Sequence, residues 1–159
     1  MKNLNFAITH DIVATRWQRF LNGLLDLLII HTILATIATT VVLIADITNN
    51  YDMSSWAKST TVLERLFVWV VVVFLYYFWT EAYYGRTFAK YFTETIVVTK
   101  QGLKPSYKAI LLRTLCRFIP LEAITFMGTN IRGLHDFLSD TYVVRKHEFN
   151  HKKGVVAFP

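Results

Sequence analysis

The 159-residue sequence is short of cysteine and of acidic side chains: Cys116 stands alone, and 11 Asp and Glu face 17 Lys and Arg. A single cysteine excludes an internal disulfide, and its position inside a hydrophobic segment suits a small packing residue with no redox role. The acidic deficit leaves a net charge of +6. In a soluble protein that balance would point to nucleic acid, yet the basic residues flank apolar segments and form no separate stripe. Membrane orientation accounts for them, and no nucleic-acid partner is expected.

Apolar side chains are what the sequence has in excess, with 53% hydrophobic and 15% aromatic residues and a mean hydropathy of +0.36. They are clumped into residues 20–45, 66–80 and 109–127, lengths comparable with a bilayer core about 30 Å thick at about 1.5 Å rise per residue. The expected class is therefore all-α membrane protein in a single domain over residues 1–159. The N-terminal basic flank and apolar stretch superficially suit a secretory signal. Against cleavage stand the length of the stretch, Asp26 within it, and the further hydrophobic segments that follow.

Residues 1–19 are expected as a lead-in at the membrane surface, with Trp17 at headgroup level and Arg16 and Arg19 in the basic flank. A first span follows over 20–45. Its β-branched residues disfavour a helix in water, but in lipid only a helix satisfies the backbone of a single segment. Residues 46–65 read as a polar external loop with Asn49, Asn50, Asp52, Ser54 and Ser55 as turn chemistry. Leu66 to Thr80 gives only 15 uncharged residues, about 22 Å of helix, so the second span must continue through Glu81 to residue 85. Tyr76, Tyr77, Trp79, Tyr83 and Tyr84 are expected as an aromatic belt.

The loop over 86–108 holds Arg86, Lys90, Lys100, Lys104 and Lys108 against Glu94, and the positive-inside rule makes it cytoplasmic. Within it Thr95 to Thr99 reads as a strand ending at the Gly102 and Pro105 turn. Thr141 to Lys146 is a second candidate, and the two are placed to pair into a small cytoplasmic sheet. The third hydrophobic element, 109–128, is interrupted by Arg113, Arg117, Pro120 and Glu122. A kinked element that dips and returns keeps the C-terminal region, 129–159, cytoplasmic. A full third span is the alternative.

Arg19 and Asp26, seven residues apart, share a helix face with Asn22 and Gly23 between them, and Asp26 lies about 10 Å deeper. Glu81, five residues before Arg86 on the antiparallel second helix, lies about 7 to 8 Å inside the same edge. Intramembrane charges are costly, so these acids should meet cations, and Arg113 and Arg117 at i and i+4 supply a matching face. An ionic cluster of Arg19, Asn22, Asp26, Glu81, Arg113, Arg117 and Glu122 is expected near one leaflet. It serves either as a lock on helix packing or as a proton or ion pathway.

These residues resemble the RDD family of membrane proteins, named for an arginine and two aspartates. RFLNGLLD, Arg19 to Asp26, is similar to the family's first-helix pattern. EAYYGRTFAK, TIVVTKQGLKPS and AILLRTLCR follow in the family's order, with Gly85, Thr87 and Lys90 in the loop motif and Ala89 where glycine is usual. HDFLSDTYVV is similar to the C-terminal motif and makes Asp136 the second aspartate. The resemblance covers about residues 13 to 146. It implies a multispanning membrane protein of the bacterial inner membrane, for which transport of ions or small solutes is suggested, and carries over Arg19, Asp26 and Asp136 as the signature.

Other motifs point nowhere. HEFNH, His147 to His151, satisfies a zinc-protease pattern, but it follows a strand in a basic tail with no buried helix and no third ligand. GRTFAK lacks the P-loop spacing. Arg86 and Lys90 are expected to hold lipid phosphates or to close the helix ends. His31 lies about 140° round the helix from Asp26, and His135 is expected to cap or orient the last helix. No metal, cofactor or catalytic constellation follows, so a non-enzymatic role is expected. It is either transport, in an oligomer because so few helices enclose little cavity, or an accessory or scaffold subunit bound to another membrane protein.

Overall fold

The computed structural model describes residues 8–119 and 133–153. A short 3-10 turn, His10–Ile12, leads to Thr15, whose hydroxyl accepts the Gln18 N–H while Gln18 Oε1 accepts the Thr15 N–H at 3.0 Å. This capping box starts α1, Arg16–Ile47, four residues before the expected span. Hydropathy does not see that start, because polar side chains make it. With 32 residues, α1 is about 48 Å long and exceeds the bilayer core.

The side chains of α1 are arranged inside out relative to a soluble helix. Leu24, Leu27, Leu28, Leu43 and Ile44 are exposed, whereas Arg19, Asn22, Asp26 and Ile30 are buried at spacings of three and four along one stripe. A helix that hides its charges and presents leucine outward is soluble only in lipid. α3, Val62–Tyr84, starts from a second capping box between Thr61 and Glu64 and buries Val73, Tyr76, Tyr77, Thr80 and Glu81. It stops at Gly85, whose φ of 68° is left-handed and whose N–H reaches the Glu81 carbonyl at 3.0 Å. These two helices are the candidate membrane spans among the described residues.

The connection between them is not a plain polar loop. It contains a nine-residue helix, α2, Tyr51–Ser59, capped by Asn50, which accepts the Met53 N–H at 3.0 Å. Ser54 donates to Asp46 at 2.9 Å and ties α2 back to the end of α1. The asparagine expected as turn chemistry is a helix cap.

Beyond Gly85 come α4, Phe88–Phe92, and β1, Thr95–Thr99, then α5, Tyr107–Cys116, capped by Ser106. After the gap in the description follow α6, Leu134–Leu138, β2, Thr141–Arg145, and α7, Lys146–Lys153. The expected strand pair forms as an antiparallel two-stranded sheet with Val97 opposite Val143. Val13 bridges to Val144, and Ile12, Ile96, Val98, Val144 and Phe149 form a small apolar core. α5 is the first part of the third hydrophobic element. Pro120 and Glu122, and with them the kink and any crossing, lie outside the described residues.

A local two-fold relationship runs through the sheet. Phe88–Phe92, Thr93, Glu94 and Thr95–Thr99 match Leu134–Leu138, Ser139, Asp140 and Thr141–Arg145 at a constant offset of 46 positions. Each unit is a five-residue helix, a left-handed acidic residue, Glu94 at φ 51° or Asp140 at φ 49°, and a five-residue strand. The register obeys the same symmetry: Thr95 faces Arg145, Thr99 faces Thr141, and the axis passes through Val97 and Val143. Lys90 and Asp136 occupy equivalent positions with opposite charge.

Candidate functional site

The buried stripes of α1 and α3 meet α4, α5 and α6 at one end of the spans, and their polar side chains converge there. Arg113, from α5, is fully buried and lies at the centre. Its Nε donates to Glu81 Oε2 at 3.0 Å, and its Nη1 donates to Asp136 and to Thr141. Glu81 also accepts from Lys90 at 2.6 Å and Arg117 at 3.0 Å. Asp136 also accepts from Arg19 Nη1 at 2.5 Å, and His135 Nε2 lies 3.2 Å from the same carboxylate. A charge in this setting persists only with partners of opposite sign and with its lone pairs satisfied, and each of these two carboxylates has several.

The expected cluster is thus assembled from Arg19, Asp136, Glu81, Arg113 and Arg117, with two changes. Lys90 is 4% exposed and points at Glu81, so it belongs to the cluster and cannot reach lipid phosphate. Asp26 stands apart. It lies on the cluster's stripe, yet its partners are neutral: Tyr76 Oη at 2.5 Å, Thr87 Oγ1 at 2.8 Å and the Ala89 N–H at 3.3 Å. Among the described residues no cationic side chain comes within ion-pair distance of it. Arg113 and Arg117 were its expected partners, but Glu81 and Asp136 take Arg113, and Arg117 stacks on Tyr77 while bonding Glu81.

Asn22 takes no ion either. Its amide donates to Thr95 at 3.1 Å and its carbonyl accepts from Thr93 at 2.5 Å, joining α1 to the start of β1. Tyr76 and Tyr77, expected in the aromatic belt, are buried against the cluster, while Trp79, Tyr83 and Tyr84 are exposed as a belt requires. Ala89, the departure from glycine, is fully buried with its backbone against Asp26, so the close approach is made with a methyl group in place. Glu122 lies outside the described residues.

Outside the spans the electrostatics run in opposite directions for the two equivalent positions. Burial pushes the Asp136 carboxyl up, but His135, Arg113 and Arg19 outweigh it and hold the group well below the usual carboxylate range. Burial pulls the Lys90 ammonium down, and although Glu81 opposes this, Arg113 and Arg117 add to it, leaving the group below its ordinary value.

The histidine motifs behave differently from one another. HEFNH, read as part of a basic tail with no buried helix, forms the helix α7, with Phe149 as its buried anchor. His147 and His151 are nevertheless exposed, Glu148 pairs with Arg145 at 2.6 Å, and no metal-binding group of three ligands occurs among the described residues. His31 contacts its own helix through the Leu27 carbonyl at 3.0 Å.

Two long apolar helices, joined at one end by a network of buried arginine, lysine and carboxylate, define an integral membrane protein with a buried ionic cluster. The chain belongs to the RDD family, whose profile matches residues 13–141. Of the signature residues that the resemblance implied, Arg19 and Asp136 pair within the cluster, and Asp26 lies beside it on neutral partners. No curated protein and no solved structure matches the chain.

Proposed function

We propose that this RDD protein is a non-enzymatic transporter of the bacterial inner membrane that moves protons or small cations past Asp26. The termini and the strand pair are on the cytoplasmic side, where the basic residues flanking the spans favour them. The observation that carries the reading is the difference between Asp26 and its neighbours. Glu81 and Asp136 are fixed by ion pairs, whereas Asp26 is held by a phenol, a hydroxyl and a backbone amide. A proton or a small cation arriving at Asp26 has no resident cation to displace, and the paired network supplies a rigid frame around it. Two helices enclose little room, so the working unit is an oligomer.

Proton and sodium flux into proteoliposomes is the test. Wild type is expected to carry flux and Asp26→Asn to fall to the level of empty vesicles; equal flux in both removes Asp26 from the pathway.

A second reading rests on the ion pairs of Arg113 with Glu81 and Asp136, which serve as well as a lock in an accessory subunit bound to another membrane protein. Purification in mild detergent separates the two. A stable heteromeric complex together with flux-silent vesicles supports the accessory role.

A further inference from the structure

Arg19 uses one of its donors. Nη1 reaches Asp136, but Nε and Nη2 are buried and have no hydrogen-bond partner, in a residue only 6% exposed. Unpaired guanidinium donors away from water are among the costliest groups a fold can retain, so something must meet them. Arg19 lines a cavity of about 40 Å³ together with Asn22, Gly23, Asp26, Lys90, Arg117, His135 and Val143.

The lining is electropositive. Arg19, Lys90 and Arg117, which also pair with Asp136 and Glu81, share the lining with one carboxylate, Asp26, which already accepts from Tyr76, Thr87 and the Ala89 N–H. Lys90 makes one bond, to Glu81, and the Asn22 amide makes one, to Thr95, so each retains a proton to donate. Unmet donors that outnumber the remaining acceptor positions describe a site for an anion. The volume suits one halide-sized ion or a water or two.

We propose that this cavity binds a single chloride ion, held by the free edge of the Arg19 guanidinium with Lys90 and Asn22. Chloride enters as a structural ligand. The inference goes beyond the transport reading and does not depend on it.

The test uses the full chain purified in detergent, with gluconate, chloride, bromide or sulfate at equal ionic strength. Chloride and bromide are expected to raise the melting temperature by about 4 °C over gluconate, the size expected at several times the dissociation constant, and sulfate to leave it unchanged. The ³⁵Cl resonance should broaden with the protein and sharpen again on adding bromide. Arg19→Lys keeps a cation for Asp136 but removes the planar Nε and Nη2 edge that faces the cavity and shortens the side chain's reach, so its halide shift should fall. If that variant does not fold, the wild-type halide series and the ³⁵Cl line decide alone. No chloride dependence in wild type, equal stabilisation by sulfate, or an undiminished shift in folded Arg19→Lys overturns the site; the first of these means that water alone fills the cavity.

Discussion

Arg19 and Asp136 are 117 positions apart in the chain and 2.5 Å apart in space, a buried contact that closes the C-terminal half of the domain onto the first membrane helix. Together with Arg113 it makes Asp136 the carboxylate that joins α1, α5 and α6. That position determines what its loss should do.

Asp136→Asn leaves Arg19 and Arg113 facing a neutral amide in a buried site. Breaking a buried pair by removing one partner costs about 3–5 kcal/mol, against a total stability of about 5–15 kcal/mol for a domain. Thermal unfolding in detergent micelles should show a large drop in the midpoint, or the variant should fail to accumulate. A change below 1 kcal/mol would mean that the network contributes little to the fold.

Acid should destabilise the protein through the same residue. The folded carboxyl of Asp136 is depressed below its ordinary value of 3.8, so its contribution is complete above that value and is lost as pH falls below it toward the folded value. Exposed Asp11, held at about 2 by Lys152, adds a smaller loss over the window from 3.8 down to about 2. Melting curves between about pH 5 and pH 3 should slope downward with acid in wild type and flatten in folded Asp136→Asn.

Ala89→Val tests the close approach between α4 and α1. Ala89 has no exposed surface and its N–H touches Asp26, so two added methyl groups must push the backbone away, at about 1–3 kcal/mol. The same variant should reduce any flux that depends on Asp26. Unchanged stability would show that the neighbouring side chains have room to yield.

Gly85→Ala isolates backbone strain. A Cβ there meets nothing within 4 Å, but the φ of 68° is left-handed, so the expected cost is about 1 kcal/mol and a midpoint lower by about 2–4 °C. A larger loss would reveal a tighter helix terminus than the open space implies.

Much of this arrangement was readable in the amino-acid order because simple physics set it. TIVVT and TYVVR are β-branched runs bounded by turn residues, and both became strands with nearly their expected bounds. Glu81 had to lie inside the membrane edge because the apolar run before it is too short, and Arg113 and Arg117 share a face by spacing alone. Depth arithmetic could not say which acid each cation would choose, since that depends on the approach of α4 and α6. For the same reason the two roles expected for Lys90, holding lipid phosphates or closing the helix ends, stayed open until its ammonium was placed on Glu81. Its position was still encoded: the offset of 46 that relates Thr95 to Thr141 also relates Lys90 to Asp136. Tyr76 was taken for a belt residue on composition, although Val73, Tyr76, Thr80 follow helical spacing toward the buried stripe. Helix α2 was hidden because Asn50 supports a turn and a helix cap equally well.

The long separation of Arg19 from its carboxylate also sets an order of events during biosynthesis. At about 5–20 residues per second, roughly 6 to 23 s pass between synthesis of Arg19 and synthesis of Asp136. Throughout that interval Arg19 lacks its carboxylate, whereas Arg113, made later, can already meet Glu81. Only when α6 emerges can Asp136 join both guanidiniums. The contact is thus one of the last that the chain can make, and a domain truncated before α6 leaves Arg19 without its carboxylate.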